Sequence, residues 1–448
     1  MQFITWADYV LLPIYLAIIF AIAKSVKNSL YPEGHPWRPY FMPGLAVKVA
    51  GAIFIGLLYQ YYYKGGDTAN YFVQSRVLNE AFLDSPFKWL QLVFHIPASY
   101  DGWVIDYTSR IEWYDAVNNY AVVAIAGVVG IFTFNTFLPS SLLFAVISFT
   151  GIWAMFRAFS SQYPALIKHI ALVILFIPST FIWGSGIFKD TICMFGMGWM
   201  IYGTFRLLIQ RRIQPISIAM TVIGFYLVAV IKIYILISFL PALGLWILFS
   251  YSQKIKLSFV RIIMKVGLFA GSAALFVSFS STFSSELGRY SLENLATTAT
   301  VTRDYIYISS GDEGSAYNLG EFDPSITGML KQFLPAVNVT LFRPYIWESR
   351  KPIVLFNALE AFLFLFFTLK LLVTLGPGKI WVAINKDPNI QFCLIFTLVF
   401  AFAVGISSAN FGTLSRYRIP CLPLYGLALV LIYYQYNDPA KPFLRIRR

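Results

Sequence analysis

The sequence predicts an all-α polytopic membrane protein, and three observations predict it. Of 448 residues, 58% are hydrophobic and only 12% carry charge, about half the charged share of a soluble chain. Apolar runs long enough to cross about 30 Å of hydrocarbon recur along the whole length. The runs are continuous rather than alternating, which suits helices whose backbone groups bond within the segment, not barrel strands.

In chain order the runs place eleven spans, at 5–23, 43–61, 139–158, 164–181, 187–209, 214–231, 233–250, 262–280, 352–375, 390–408 and 418–435. The opening MQFITWADYV has no basic head and no small-residue cleavage site, so the first run reads as a retained span and not a signal peptide. The run 120–135, YAVVAIAGVVGIFTFN, holds about 14 apolar residues, or about 21 Å of helix. That is too short for the hydrocarbon core, and the run reads as a re-entrant or interfacial helix.

Charge supports that reading. With 120–135 not crossing, one side of the membrane collects 20 basic residues, from Lys24 and Lys27 through Lys48 and Arg157 to Arg447 and Arg448. Only Glu33, Asp387 and Asp438 oppose them there. Cytoplasmic loops are enriched in Lys and Arg. The N-terminus is therefore expected outside and the C-terminus inside, in a multi-pass protein of a bacterial inner membrane. The net charge of +13 then expresses topology and calls for no nucleic acid. A single integral-membrane domain over 1–448 is expected, with two long outer loops, 62–118 and 281–351. Loops of that length are usually functional, and amphipathic pieces such as GMLKQFLPAVNVTLF (328–342) are expected to lie along the membrane surface. Cys193, Cys393 and Cys421 fall in apolar spans and form no disulfide framework. His35, His95 and His169 show no metal-ligand spacing.

The candidate functional residues lie on the outer side in this topology. In YYYKGGDTANYF, Asp67 follows two glycines where the second span ends. It reads either as the N-cap of a helix from Thr68, or as a general base or divalent-ion ligand at the mouth of a cavity. Tyr71 and Ser75 would share its helix face. The preceding tyrosines read as an interfacial aromatic belt. Lys189 and Asp190 follow a Gly-Ser-Gly break; Lys189 is either a snorkelling residue paired with its neighbour or a ligand for an anionic headgroup. Lys232 stands between two apolar runs with no polar loop around it, which favours a functional, inward-facing lysine. Arg343 and Glu348 lie in LFRPYIWESRKP ahead of a span. Glu360 lies inside that span, where an ionisable residue is a functional candidate or the partner of a base from another span. Arg416 and Arg418, in SRYRIPCLPLYG, stand where few basic residues are expected. They are either headgroup anchors or forked donors to phosphate. An acid and a ring of cations near the outer leaflet suit a lipid-borne mono- or diphosphate. No phosphate-cradling or dinucleotide fingerprint is present, and no soluble cofactor is implied.

These motifs resemble those of integral-membrane glycosyltransferases of the C superfamily, which take sugars from polyprenyl-phosphate carriers, and of O-antigen and exopolysaccharide polymerases. GGDTANYF resembles the acidic motif of the first large outer loop of that superfamily. The resemblance implies that Asp67 acts as base or metal ligand. SRYRIPCLPLYGLAL resembles the Arg-Tyr-x-x-Pro-x-x-Pro start of a late span, implying that Arg416 and Arg418 hold the carrier phosphate. Two features depart from the superfamily. Gly66 stands where many members carry a second acid, and the acidic loop follows the second span instead of the first.

The expected activity is glycosyl transfer on the outer face, from a polyprenyl-(pyro)phosphate-linked sugar to a lipid- or polymer-borne acceptor in cell-surface polysaccharide synthesis. Asp67 is the expected catalytic residue. Lys189, Lys232, Arg343, Glu348, Arg416, Arg418 and Tyr71 are expected at the substrate, among membrane lipid. No metal cluster is expected, with a divalent ion left as an alternative role for Asp67. Two rival readings remain: a transporter or flippase for an anionic lipid or glycan, and a non-catalytic scaffold of an envelope machine.

Overall fold

A computed structural model describes residues 2–100, 102–253, 259–260, 263–264, 266–267, 270–271, 292–310, 317, 319, 326–349 and 351–440. Among these residues the regular elements are helices, and none is a strand. Seven helices are long and apolar enough to cross a membrane, or eight if one bent pair is counted as a span. The protein is thus a multi-pass helical membrane protein in type. The chain divides into two compact units: Met1–Leu207 with Arg212–Ile233, and Leu208–Arg211 with Tyr234–Arg448.

The first unit contains α1 (Trp6–Leu30), α2 (Arg38–Leu57), α3 (Asp67–Asp84), α4 (Pro86–Val93), α5 (Ile105–Thr108), α6 (Val117–Ile131), α7 (Phe137–Ser160), α8 (Ile167–Leu175), α9 (Pro178–Trp183) and α10 (Lys189–Thr204). It also takes the first part of α11 (Pro215–Ser252). Helix α7 is its centre, packed against α10, α2, α8 and α1. Small residues let these backbones meet, the usual basis of helix packing where lipid removes the hydrophobic drive. A Cβ on Gly198 would stand 1.9 Å from the Gly151 carbonyl oxygen, so α7 and α10 touch through their backbones.

One end of this unit is knotted by hydrogen bonds. The Asp8 carboxylate accepts from the Thr5 N–H (2.8 Å) and hydroxyl (2.9 Å), and from the Leu138 N–H (2.8 Å). Gln60 Oε1 accepts from the N–H groups of Phe3 and Ile4, both at 3.0 Å. The starts of α1 and α7 and the end of α2 therefore share that end. At the other end, Trp153 Nε1 donates to the Tyr31 hydroxyl at 2.7 Å. The segment between α2 and α7 thus leaves and returns at one level, although it contains the apolar α6. The Tyr15 hydroxyl donates to the Phe132 carbonyl (2.5 Å) just beyond α6, about two turns along α1. Asn79 Nδ2 donates to the Gly127 carbonyl (2.9 Å) and to Asn135 Oδ1 (2.6 Å), and Asn79 Oδ1 accepts from Trp89 Nε1 (2.9 Å). One asparagine so ties α3, α4 and α6 together.

The second unit holds the rest of α11, then α12 (Leu292–Ser310), α13 (Ile326–Lys331), α14 (Phe333–Phe342), α15 (Pro352–Lys386), α16 (Pro388–Ser407), α17 (Phe411–Tyr417) and α18 (Leu422–Tyr434). Helix α16 packs against α14, α18 and α12, with Ala299, Met329, Ala336 and Ile406 in one buried cluster. Trp246 stacks on Phe392 (4.9 Å between ring centres) and donates to Asn389 Oδ1 at 3.0 Å, fixing α11 along α16.

Several boundaries differ from the sequence reading, for local reasons. The run 164–181 is interrupted: α8 ends at Leu175 and α9 begins at Pro178, whose ring cannot continue the helix. The runs 214–231 and 233–250 lie together on α11, broken only where Lys232 leaves helical angles (φ −145°, ψ 71°). The run 352–375 continues to Lys386 past a break at Gly376. The final run, 418–435, holds α18, and α17 before it is bent at 67° to it. Most of 262–280 and much of 281–351 lie outside the described residues, as does Arg350. Lys48, counted above among cytoplasmic charges, is instead buried inside α2, which starts at Arg38 and places it in the helix interior. The turn 183–190, read as an outer connector, is buried from Trp183 to Phe188.

Candidate functional site

In the first unit the candidates gather at the knotted end. Asp67 is the first residue of α3, and Gly66 takes the cap position. Gly66 has φ 119°, and a Cβ there would meet the Tyr59 ring at 2.8 Å. Conformation and space both demand glycine. Asp67 is half-buried, with the free amides of the first helical turn beside it. Tyr59 also packs on Phe188, at 5.5 Å between ring centres, and Phe188 directly precedes Lys189, the first residue of α10. Asp67 and Lys189 thus head two helices whose preceding residues touch one tyrosine. Tyr71 lies one turn into α3, buried. Its hydroxyl donates to Asn119 Oδ1 at 3.0 Å and its ring packs on Trp113. That is the geometry of a residue that builds the loop.

Lys232 and Asp190 form a buried ion pair, Nζ to Oδ1 2.6 Å, with side chains 6% and 0% exposed. Asp190 therefore joins the lysine of α11 rather than its sequence neighbour Lys189 in this contact. Helix α10 can approach α11 because a Cβ on Gly196 would meet the Gly224 carbonyl at 2.7 Å.

In the second unit, Arg343 and Glu348 form a two-pronged pair: Nε lies 3.0 Å from Oε2, and Nη2 bonds Oε1. The Tyr345 N–H adds a bond to Oε2 at 2.8 Å. Burial raises the Glu348 carboxyl, but the Arg343 bond, the Tyr345 amide and the guanidinium charge outweigh it and hold it below the usual range. The Glu348 hydrogen bond in turn raises Arg343. Arg343 also lies over the rings of Tyr317 and Phe411. Arg418 is fully buried. It donates to the carbonyls of Arg343 (2.9 Å), Thr340 (3.3 Å) and Asn357 (3.3 Å) and to Glu360 Oε1 (3.4 Å). It clasps α14 to α15, and it supplies the basic partner from another segment that Glu360 called for. Arg416, in the last turn of α17, is half-buried.

Of the five candidate cations, then, Lys232, Arg343 and Arg418 each contact a carboxylate. Lys189 and Arg416 are half-buried at helix ends. Asp67, Tyr71, Lys189 and Lys232 belong to the first unit, and Arg343, Glu348, Arg416 and Arg418 to the second. Among the described residues no three His, Cys, Asp or Glu side chains are grouped as for a metal ion.

The sequence reading passed over three polar residues. Asp8 had a legible signal, since Thr5-Trp6-Ala7-Asp8 is a capping-box spacing. Lys48 fell inside the run 43–61 and was counted only as one of the cytoplasmic charges. Asn79 carries no pattern of its own, because its three bonds are all tertiary. Compared with family models, with curated proteins and with solved structures, the chain matches none.

Proposed function

We propose that this protein transfers a glycosyl group at the non-cytoplasmic face of a bacterial cytoplasmic membrane. The donor is a polyprenyl-(pyro)phosphate-linked sugar, and the acceptor a hydroxyl of a lipid- or polymer-borne glycan. The observation that carries the reading is that Gly66, ahead of Asp67, and Phe188, ahead of Lys189, both lie against the Tyr59 ring at one end of the first unit. A carboxylate there serves as the base for the attacking hydroxyl. A half-buried ammonium nearby stabilises charge growing on the departing phosphate. The long first loop, with α3 and α4 tied to α6 by Asn79, fits a site-building role more than that of a plain connector.

The test is Asp67→Asn, made at the chromosomal locus. The expected result is loss of the glycan product and accumulation of its lipid-linked precursor, with membrane abundance unchanged. Wild-type product from that variant would remove Asp67 from the chemistry. Deleting the protein distinguishes polymerisation from single transfer: a ladder of short lipid-linked units indicates the former, uniform loss of one sugar the latter.

One observation favours a second reading, transport of an anionic amphiphile. Interrupted helices stand in both units, α8 and α9 in the first and α17 and α18 in the second, and broken helices are common where transporters bind. Lipid flipping by purified protein in vesicles, without sugar transfer, would select this reading.

A further inference from the structure

Lys48 lies well inside the apolar helix α2 and is 1% exposed. An ammonium in the middle of a span is costly to insert, so its presence marks a role. Its Nζ donates to Gly184 O at 2.6 Å, Ser148 Oγ at 2.9 Å and Thr180 O at 3.3 Å. An ammonium has three N–H donors, and three acceptors meet them. Among the described residues the ion pairs within 4.0 Å involve other side chains, and the three acceptors of Lys48 are neutral oxygens.

The acceptors come from a break in the backbone. Helix α9 ends at Trp183, inside the protein, and a buried turn leads to α10. The carbonyls of a helix end lack partners within the helix, and in a membrane water does not serve them. Here four carbonyls of the break receive side-chain donors, and Thr180 O also accepts the Gly184 N–H at 3.2 Å. Ser185 Oγ donates to Phe181 O at 2.5 Å, Thr191 Oγ1 to Gly186 O at 2.6 Å, and Lys48 to Thr180 O and Gly184 O. A Cβ on Gly51 would stand 2.1 Å from Phe181 O, so α2 lies against this break closely enough for Lys48 to reach it.

Two backbone carbonyls at an interrupted helix and one hydroxyl form an oxygen cage of the kind that holds a monovalent cation in membrane proteins. We propose that these three oxygens are a monovalent-cation site which the chain fills with its own side chain. Lys48 is the tethered cation that holds the α9–α10 turn, and with it Lys189 and Asp190, in place. The inference concerns the fold of the turn and stands whether the protein transfers sugars or carries lipids.

The experiment empties the cage and refills it. Lys48→Ala removes three carbons and the ammonium, a shape that n-propylammonium matches. Purified in detergent, the variant is expected to melt well below the wild type and to recover most of the loss in n-propylammonium chloride. Equal n-propanol or choline chloride should not restore it, and rescue by sodium or potassium chloride beyond choline chloride would support the cage as well. The wild type should respond to none of these salts specifically. A variant that melts like the wild type, or that n-propanol restores as well as the amine does, overturns the proposal. If Lys48→Ala does not accumulate, Ser148→Ala decides. With two acceptors left, it should melt below the wild type and open Lys48 to reductive methylation. Unchanged melting together with an unmodified Lys48 would refute the cage.

Discussion

The buried pair of Lys232 and Asp190 offers the sharpest test of how the first unit holds together. At 2.6 Å, two unit charges attract by about 6 kcal/mol at an effective dielectric of about 20. Desolvation of both groups offsets most of that, so the intact pair is close to neutral against an apolar replacement. Removing one partner is different, because it leaves the other charge buried without the charge opposite it, at a cost of about 3–5 kcal/mol. Asp190→Asn and Lys232→Met are therefore each expected to be severely destabilised. The double variant Asp190→Asn/Lys232→Met should regain most of the loss. The assay is thermal unfolding of purified protein in detergent, run as a double-mutant cycle. For domains of 150–250 residues each kcal/mol moves the midpoint by about 2–4 °C, so each single variant should fall by roughly 6–20 °C. Additive losses in the double variant would show that the two charges do not depend on one another. Single variants that melt like the wild type would show that no buried pair forms.

Two further outcomes follow from the geometry. Glu348 titrates below its ordinary value near 4.5 because the opposing Arg343 and amide bonds exceed the effect of burial. A depressed folded pKa gives stability that is full above the unfolded value and is lost as pH falls through the folded one. Melting temperature should drop below pH about 4.5 in the wild type, whereas Glu348→Gln should melt lower at neutral pH and lose this acid-dependent part; parallel curves for the two proteins would sink the argument. At the α7–α10 crossing, Gly198→Ala forces a methyl to within 1.9 Å of the Gly151 oxygen. It should cost about 1–3 kcal/mol or more through helix displacement, while Gly244→Ala, which meets nothing within 4 Å, should leave membrane abundance and melting unchanged.

The spans were legible because hydrocarbon imposes a rule that sequence states openly: enough consecutive apolar residues to cross, with backbone bonds closed inside the helix. Helices α1, α2, α7, α10, α15 and α16 each coincide with a predicted run. The short run around 120–135 was separable by length alone, and α6 is a helix of 15 residues. Breaks were harder to place. Pro178 was visible as a breaker, yet the same letter at Pro13 or Pro241 sits inside a helix, because neighbouring contacts decide whether a freed carbonyl is served. Partners were harder still. Lys232 was expected to face inward, but its partner Asp190 lies 42 positions away, and nothing in either local sequence names the other. Arg418 looked like a phosphate fork by its exposed-looking context, whereas three carbonyls and a carboxylate from α14, α15 and their flanks already occupy it. A charge in a span announces that it must be satisfied; it does not announce by what.

This accounting narrows the chemistry. A phosphate approaching Lys232 or Arg418 would have to displace a carboxylate from a buried cation, exchanging one satisfied pair for another and stranding Asp190 or Glu360 without its base. Arg343 is held from two sides by Glu348, again at the expense of any incoming anion. These three residues therefore serve best as the frame. Each fixes a break or a helix end: the interruption of α11, the junction of α14 with α15, and the loop ahead of α15. In the function proposed above, Lys189, half-buried at the start of α10, is the anion ligand of the first unit, and Asp67 at the head of α3 is its base. On that division Lys189→Ala should lower turnover by more than any change in melting accounts for. Lys232 and Arg418 variants should lose stability first, and activity only in proportion to the protein that survives.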